Sequence, residues 1–113
     1  MNKSYVQENL RFLVLMTNRL YKIYKDEPIL VNAMRIEVVN RKIVALLYNR
    51  GHLLGSENRS LVFKVLDHFQ VWLLQFHEHR KEVLKADDTF IFERWEQAVA
   101  YPQAEIERIL KDQ

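Results

Sequence analysis

The sequence contains no cysteine, and only two of its 113 residues are glycine and two are proline. A chain without cysteine forms neither disulfides nor thiolate metal sites, which fits a reducing compartment such as the cytoplasm. Antiparallel sheets need turn residues every few positions, and this sequence has too few glycines and prolines to supply them. The composition therefore predicts an all-α cytoplasmic protein with a few long helices.

Long hydrophobic runs are missing as well. The longest apolar runs cover residues 12–16 and 43–48, whereas a membrane-spanning helix needs about 20 apolar residues. The N-terminal part is interrupted by polar residues from Gln7 onward, so it lacks the apolar stretch of a signal peptide. We therefore expect no membrane partner.

Hydrophobic residues make up 49% of the chain and charged residues 28%, which is typical of a single globular domain, here residues 1–113. Apolar residues spaced alternately four and three apart predict three long helices. The predicted fold is an antiparallel bundle of these helices with a C-terminal helical segment that is broken near Pro102. The predicted helices cover about residues 4–25, 28–50, 56 or 58 to 86, 89–100 and 102–111.

Capping residues predict where these helices begin and end. Ser4, followed by Gln7, matches a capping box at the start of the first helix. Asp26 is the expected cap of the second helix, and Gly51 is its expected C′ residue. The expected caps of the third helix are Ser56 or Asn58.

The apolar residues cover more of the predicted helices than one core can bury. The runs at residues 12–16 and 43–48 each extend around more than half of a helix, and residues 72–74 widen the stripe of the third helix. A surface helix normally has a single apolar stripe, so a second one predicts contact with another subunit or protein. We therefore expect a homodimer, or a complex with a protein partner. The predicted interface residues are Phe12, Leu15, Met16, Trp72, Phe76 and Trp95.

Two polar residues interrupt the predicted core stripes. Thr17 and Asn40 lie near the middle of the first and second helices. If these helices pack antiparallel, the two side chains lie level and can form a hydrogen bond that fixes the register. The alternative is that one or both face a solvated edge.

Charge is distributed unevenly along the chain. Residues 1–65 contain 11 Lys and Arg against 5 Asp and Glu, while residues 66–113 contain 6 against 10. A basic surface can bind nucleic-acid phosphates without sequence preference, although no DNA-reading motif is present. The candidate nucleic-acid contacts lie around the turn between the second and third helices: Arg41, Lys42, Arg50 and Arg59.

Catalytic and metal-binding patterns are weak. His77 and His79 are two residues apart and diverge on a helix, whereas metal-binding pairs need a spacing of three or four. Glu93 and Glu96 form one Glu-x-x-Glu pair, but no second pair accompanies them on the first three helices. We therefore predict no metal and no cofactor, while the sequence leaves the catalytic residues, if any, unknown.

Three function hypotheses follow from the sequence. The favoured one is a non-enzymatic interaction or regulatory protein that acts through its apolar helix surface. The first alternative is a nucleic-acid-binding helical protein that uses the basic N-terminal half. The second is a small metal-dependent or RNase-type helical enzyme, supported only by the histidines and the glutamate pair.

Overall fold

A computed structural model describes residues 2–27, 29–83 and 103–111, with side chains at all of these except 75–83 and 103. Helix accounts for 94% of the described residues and none of them lies in a strand, which confirms the all-α prediction. The predicted helix at about 89–100 lies outside the described residues. No helix in the described part has an apolar stretch long enough to cross a membrane. The helices are α1 (Lys3–Asp26), α2 (Leu30–Arg50), α3 (Arg59–Val83) and α4 (Gln103–Leu110), and two 3₁₀ turns cover Gly51–Leu54 and Ser56–Asn58.

Helix α1 begins earlier than predicted. Asn2 is its N-cap, because the Asn2 Oδ1 accepts a hydrogen bond from the backbone N–H of Tyr5 at 3.0 Å. The capping box predicted from Ser4 and Gln7 is therefore wrong. Asn caps a helix as well as Ser does, and the cap lies two residues earlier, so Gln7 is no longer at the position that a capping box requires.

The junction between α1 and α2 also differs from the prediction. Asp26 is the last residue of α1 rather than the cap of α2, and Ile29 occupies the cap position without a side-chain hydrogen bond. The Asn32 Nδ2 donates to the Glu27 carbonyl oxygen at 2.9 Å and ties the first turn of α2 back to the end of α1. A hydrogen bond from inside the helix therefore stabilises this junction.

The prediction that Gly51 is a left-handed C′ residue is wrong, because its φ of −59° is that of a right-handed helix. The chain continues from α2 into a 3₁₀ turn at Gly51 instead. A Cβ at Gly51 would lie 2.9 Å from a Val62 methyl group, so close packing against α3 requires glycine there. Among the described residues, the positive φ belongs to Gly55, at 93°.

Asn58 directly precedes α3, as one of the two predicted caps. Its side chain acts differently from a normal N-cap, because the Nδ2 donates back to the Leu54 carbonyl oxygen at 2.9 Å. The buried Oδ1 has no hydrogen-bond partner within the described structure. Asn58 therefore stabilises the turn before the helix and not the free N–H groups of its first turn.

The core consists of two clusters that lie along the long axis of a body measuring 45 × 23 × 21 Å. The larger cluster joins the first turns of α1 to the last turns of α2, to α3 and to α4: Val6, Leu10, Ile43, Leu47, Leu54, Val62, Val65, Leu66, Phe69, Ile106 and Ile109. The smaller cluster joins the end of α1 to the start of α2 and to α3: Tyr24, Ala33, Ile36, Trp72 and Leu73.

Candidate interaction surface

Twelve large hydrophobic side chains in the described part of the chain are exposed to solvent. Many of them lie on α1 and α2, on sides of these helices that the core does not use. We call the exposed apolar residues of α1, together with the half-buried Met16, the α1 face: Tyr5, Phe12, Leu15, Met16 and Ile23. We call the corresponding set on α2 the α2 face: Val31, Met34, Val38 and Tyr48.

The predicted interface residues divide between surface and core. Phe12 is 60% exposed and Leu15 is 49% exposed, while Met16 is half-buried. Trp72 is only 7% exposed, because it packs inside the smaller core cluster. It therefore belongs to the core of its own chain. The side chains of Phe76 and Trp95 lie outside the described residues.

The α2 face combines apolar and basic side chains. Arg35 and Lys42 are exposed beside the valines of this face. Glu37 is the only acidic residue in α2, and it is 1% exposed. Its Oε1 accepts a hydrogen bond from a guanidinium nitrogen of Arg41 at 2.9 Å. The exposed surface of α2 therefore carries positive charge without an exposed carboxylate.

The four predicted nucleic-acid contacts are placed unequally. Arg41 pairs with Glu37, so part of its charge is neutralised. Lys42 and Arg59 are exposed, and Arg50 is half-buried at the end of α2. The Arg59 guanidinium lies 5.7 Å from the centre of the exposed Phe63 ring, close enough for a cation–π contact.

Thr17 and Asn40 meet inside the protein. The Thr17 Oγ1 lies 3.2 Å from the Asn40 Oδ1 and 2.9 Å from the Leu13 carbonyl oxygen. Thr17 is 3% exposed and Asn40 is fully buried, which confirms the predicted hydrogen bond and excludes a solvated edge. The Asn40 Nδ2 is buried and makes no hydrogen bond to the described residues.

Two side chains of α1 hold the C-terminal end of α4, a contact that was not predicted from the sequence. The Gln7 Nε2 donates to the Ile109 carbonyl oxygen at 3.0 Å, and Arg11 donates to the Leu110 carbonyl oxygen at 2.7 Å. Both carbonyls lie in the last turn of α4, where they have no partner within the helix. The only sequence signal was the position of Gln7 at the edge of the apolar stripe.

One exposed carboxyl group has a shifted pKa. A backbone N–H bond and the Lys3 ammonium group, 3.1 Å away, hold the pKa of Glu57 below its ordinary value. This ion pair joins the first turn of α1 to the turn before α3.

Among the described residues, no three His, Asp, Glu or Cys side chains lie close enough to hold a metal ion. His68 is half-buried on α3 beside Phe69. The candidate groups named from the sequence lie outside the described side chains: His77, His79, Glu93 and Glu96.

Comparison with protein-family models, with curated proteins and with solved structures finds no match to this chain. The geometry of its own surface is therefore the basis for assigning a function.

Proposed function

We propose that this protein is a non-enzymatic interaction and regulatory protein that acts through the α1 and α2 faces, and that it is a homodimer of antiparallel helical bundles. The observation that carries the proposal is the second apolar stripe of α1. Its core stripe is already buried, yet Phe12 remains 60% exposed and Ile23 45% exposed on another side. Exposed apolar patches of this kind mark protein interaction sites.

The antiparallel arrangement within each protomer has support from the core contacts. The larger core cluster contains residues from the start of α1 and the end of α2, and the smaller cluster contains the opposite ends of both helices. Thr17 and Asn40, each near the middle of its helix, lie within hydrogen-bond distance. Helices that run in opposite directions bring all three pairs of positions together.

The exposed apolar side chains of α1 are a source of binding energy for association. Complete burial of one Phe or Leu side chain stabilises a complex by about 1.5–3 kcal/mol. The α1 face presents several such side chains, and each is about half exposed. Burial of these side chains in both copies has to exceed the loss of translational and rotational freedom on binding.

Light scattering across a range of protein concentrations tests the proposal. We expect the mass of a dimer for the wild type and of a monomer for Phe12→Glu. Phe63→Glu is the matched control, because it makes the same change at a 53% exposed phenylalanine on α3. A wild-type protein that remains monomeric at every concentration would contradict the proposed dimer.

A second candidate function is nucleic-acid binding by the basic side of α2 and the turn that follows. Residues 29–56 contain a single acidic residue, the buried Glu37, so the exposed charges of this region are all positive. Phosphate binding by such a surface is non-specific and weakens steeply with salt.

Binding to a mixed-sequence RNA and a mixed-sequence DNA tests this second function. Lys42→Glu combined with Arg59→Glu should weaken binding at low salt, since both side chains are exposed at the candidate site. Arg108→Glu combined with Lys111→Glu, both exposed at the end of α4, is the charge-matched control. Equal losses for both variants would contradict a site on α2, and no binding at low salt would exclude the function.

A further inference from the structure

The exposed stripe of α1 has the spacing of a coiled-coil seam. Six positions alternate in steps of four and three, and at about 100° per residue they lie within roughly 80° of one another. The stripe is rotated by roughly 120° from the buried stripe of the same helix, which contains Leu10 and Thr17. The six residues, which we call the α1 seam, are Tyr5, Asn9, Phe12, Met16, Arg19 and Ile23.

Only one flank of the α1 seam is open. Glu8, Leu15 and Lys22 are seven residues apart, all three are exposed, and each directly precedes a seam residue. The other flank faces the protein's own core, since Val6 is buried and Leu13 packs against the larger cluster. A second helix can therefore meet the seam and this open flank only.

We infer that α1 pairs with α1 of a second copy of this chain, antiparallel, about a two-fold axis that passes beside Leu15. The inference rests on the proposed function and specifies which surface forms the dimer. In this register all six seam positions have a partner: Tyr5 opposite Ile23, Asn9 opposite Arg19, and Phe12 opposite Met16. If one helix is shifted by seven residues, two of the six seam positions have no partner.

The charges of the open flank agree with this register. A two-fold axis brings the same flank of both helices together, which places Glu8 opposite Lys22 of the second copy and Leu15 against its own equivalent. Arg19 meets the Asn9 amide oxygen, which can accept its hydrogen bond. A parallel pair would instead set Arg19 against Arg19 in the seam, and like charges in such positions repel.

Cross-linking through introduced cysteines tests the register, and the chain has no cysteine of its own to interfere. Leu15→Cys should form a disulfide-linked dimer on mild oxidation, because this position meets itself at the two-fold axis. Glu8→Cys and Lys22→Cys should each fail to cross-link alone and should cross-link when mixed. Asp67→Cys, at an exposed position on α3, controls for random collisions.

The outcomes separate the inference from the proposed function. If light scattering shows a dimer but Leu15→Cys does not cross-link, or Glu8→Cys cross-links to itself, the register is wrong while the dimer remains. If light scattering shows only monomer, the proposed dimer fails, and the register fails with it.

Charge reversal provides a second measurement that does not depend on oxidation. Glu8→Lys and Lys22→Glu should each weaken the dimer about tenfold at low salt, because each reversal creates two repulsive pairs in a symmetric interface. The double variant restores opposite charges at both pairs and should return the dissociation constant close to that of the wild type. A double variant weaker than either single variant would overturn the inference.

Discussion

At the scale of single residues, the most informative contact is the one between Thr17 and Asn40. The Thr17 hydroxyl has a single proton, which the Leu13 carbonyl and the Asn40 Oδ1 share. The Asn40 Nδ2 has no partner among the described residues, although it is fully buried. A buried polar group without a partner costs about 1–3 kcal/mol. Asn40 therefore reduces stability, while its hydrogen bond to Thr17 favours one alignment of α1 with α2.

Substitutions at these two residues should therefore change stability in opposite directions. Asn40→Leu removes the unpartnered amide and leaves Thr17 its bond to Leu13, so we expect the free energy of unfolding to rise by about 1 kcal/mol. Thr17→Val has nearly the same shape but leaves the Asn40 Oδ1 buried without a donor, so we expect a loss of about 1–2 kcal/mol. Urea denaturation at one fixed protein concentration measures both. A loss of stability in Asn40→Leu would show that the amide contributes more than its one hydrogen bond.

At the scale of helices, the sequence predicted the segments well and their ends poorly. The four-three spacing of apolar residues depends on many positions at once, and it located α1, α2 and the described part of α3 within a few residues. A helix end depends on one or two hydrogen bonds, and several residues near each end are able to make them. Asn2 and Ser4 compete for the start of α1 in this way, and the sequence alone does not show that Asn2 is the cap.

Contacts between distant segments could not be predicted from the sequence, for a different reason. Gln7 and Arg11 reach carbonyl groups about a hundred residues further along the chain. No local pattern identifies such a pair, because α4 must first dock through Ile106 and Ile109 before its last carbonyls come within reach. The burial of single aromatic residues was equally hard to predict. Trp72 is buried and Phe12 is exposed because of how the helices pack, which the sequence pattern does not show.

Helix α4 should depend on these two hydrogen bonds. It has eight residues, which is too short for a stable helix without tertiary support. Gln7→Met keeps the volume of the side chain but leaves the Ile109 carbonyl without its donor, so we expect a loss of about 1 kcal/mol. We also expect Gln7→Met to accelerate hydrogen exchange more in the amides of α4 than in those of α2.

The matched control for that prediction is Gln70→Met, the same substitution at an exposed position on α3. It should leave both stability and the exchange of α4 close to those of the wild type. If Gln7→Met accelerates exchange equally in α2 and α4, the bond to Ile109 stabilises the whole fold and not the docking of α4 in particular.

At the scale of the whole molecule, an elongated body has more surface for its core volume than a spherical one. The longest dimension is about twice each of the others, and three helices of more than twenty residues run through a core that includes residues as small as Ala33. Within residues 2–27, 29–83 and 103–111, one side of α1 and of α2 carries exposed apolar side chains. The sequence predicted an excess of apolar surface from the runs at residues 12–16 and 43–48. Phe12 and Leu15, which it assigned to an interface, are exposed in the structure.

The proposed dimer predicts that folding stability depends on protein concentration. When two folded chains must separate in order to unfold, each tenfold rise in concentration adds about 1.4 kcal/mol to the free energy of unfolding per dimer. We therefore expect the urea midpoint of the wild type to rise steadily with concentration, measured by circular dichroism. Phe12→Glu should have a midpoint that stays constant, since a buried carboxylate at the centre of the α1 seam prevents pairing. Phe63→Glu should keep the concentration dependence of the wild type, and a constant wild-type midpoint would mean that the α1 face has no part in stability.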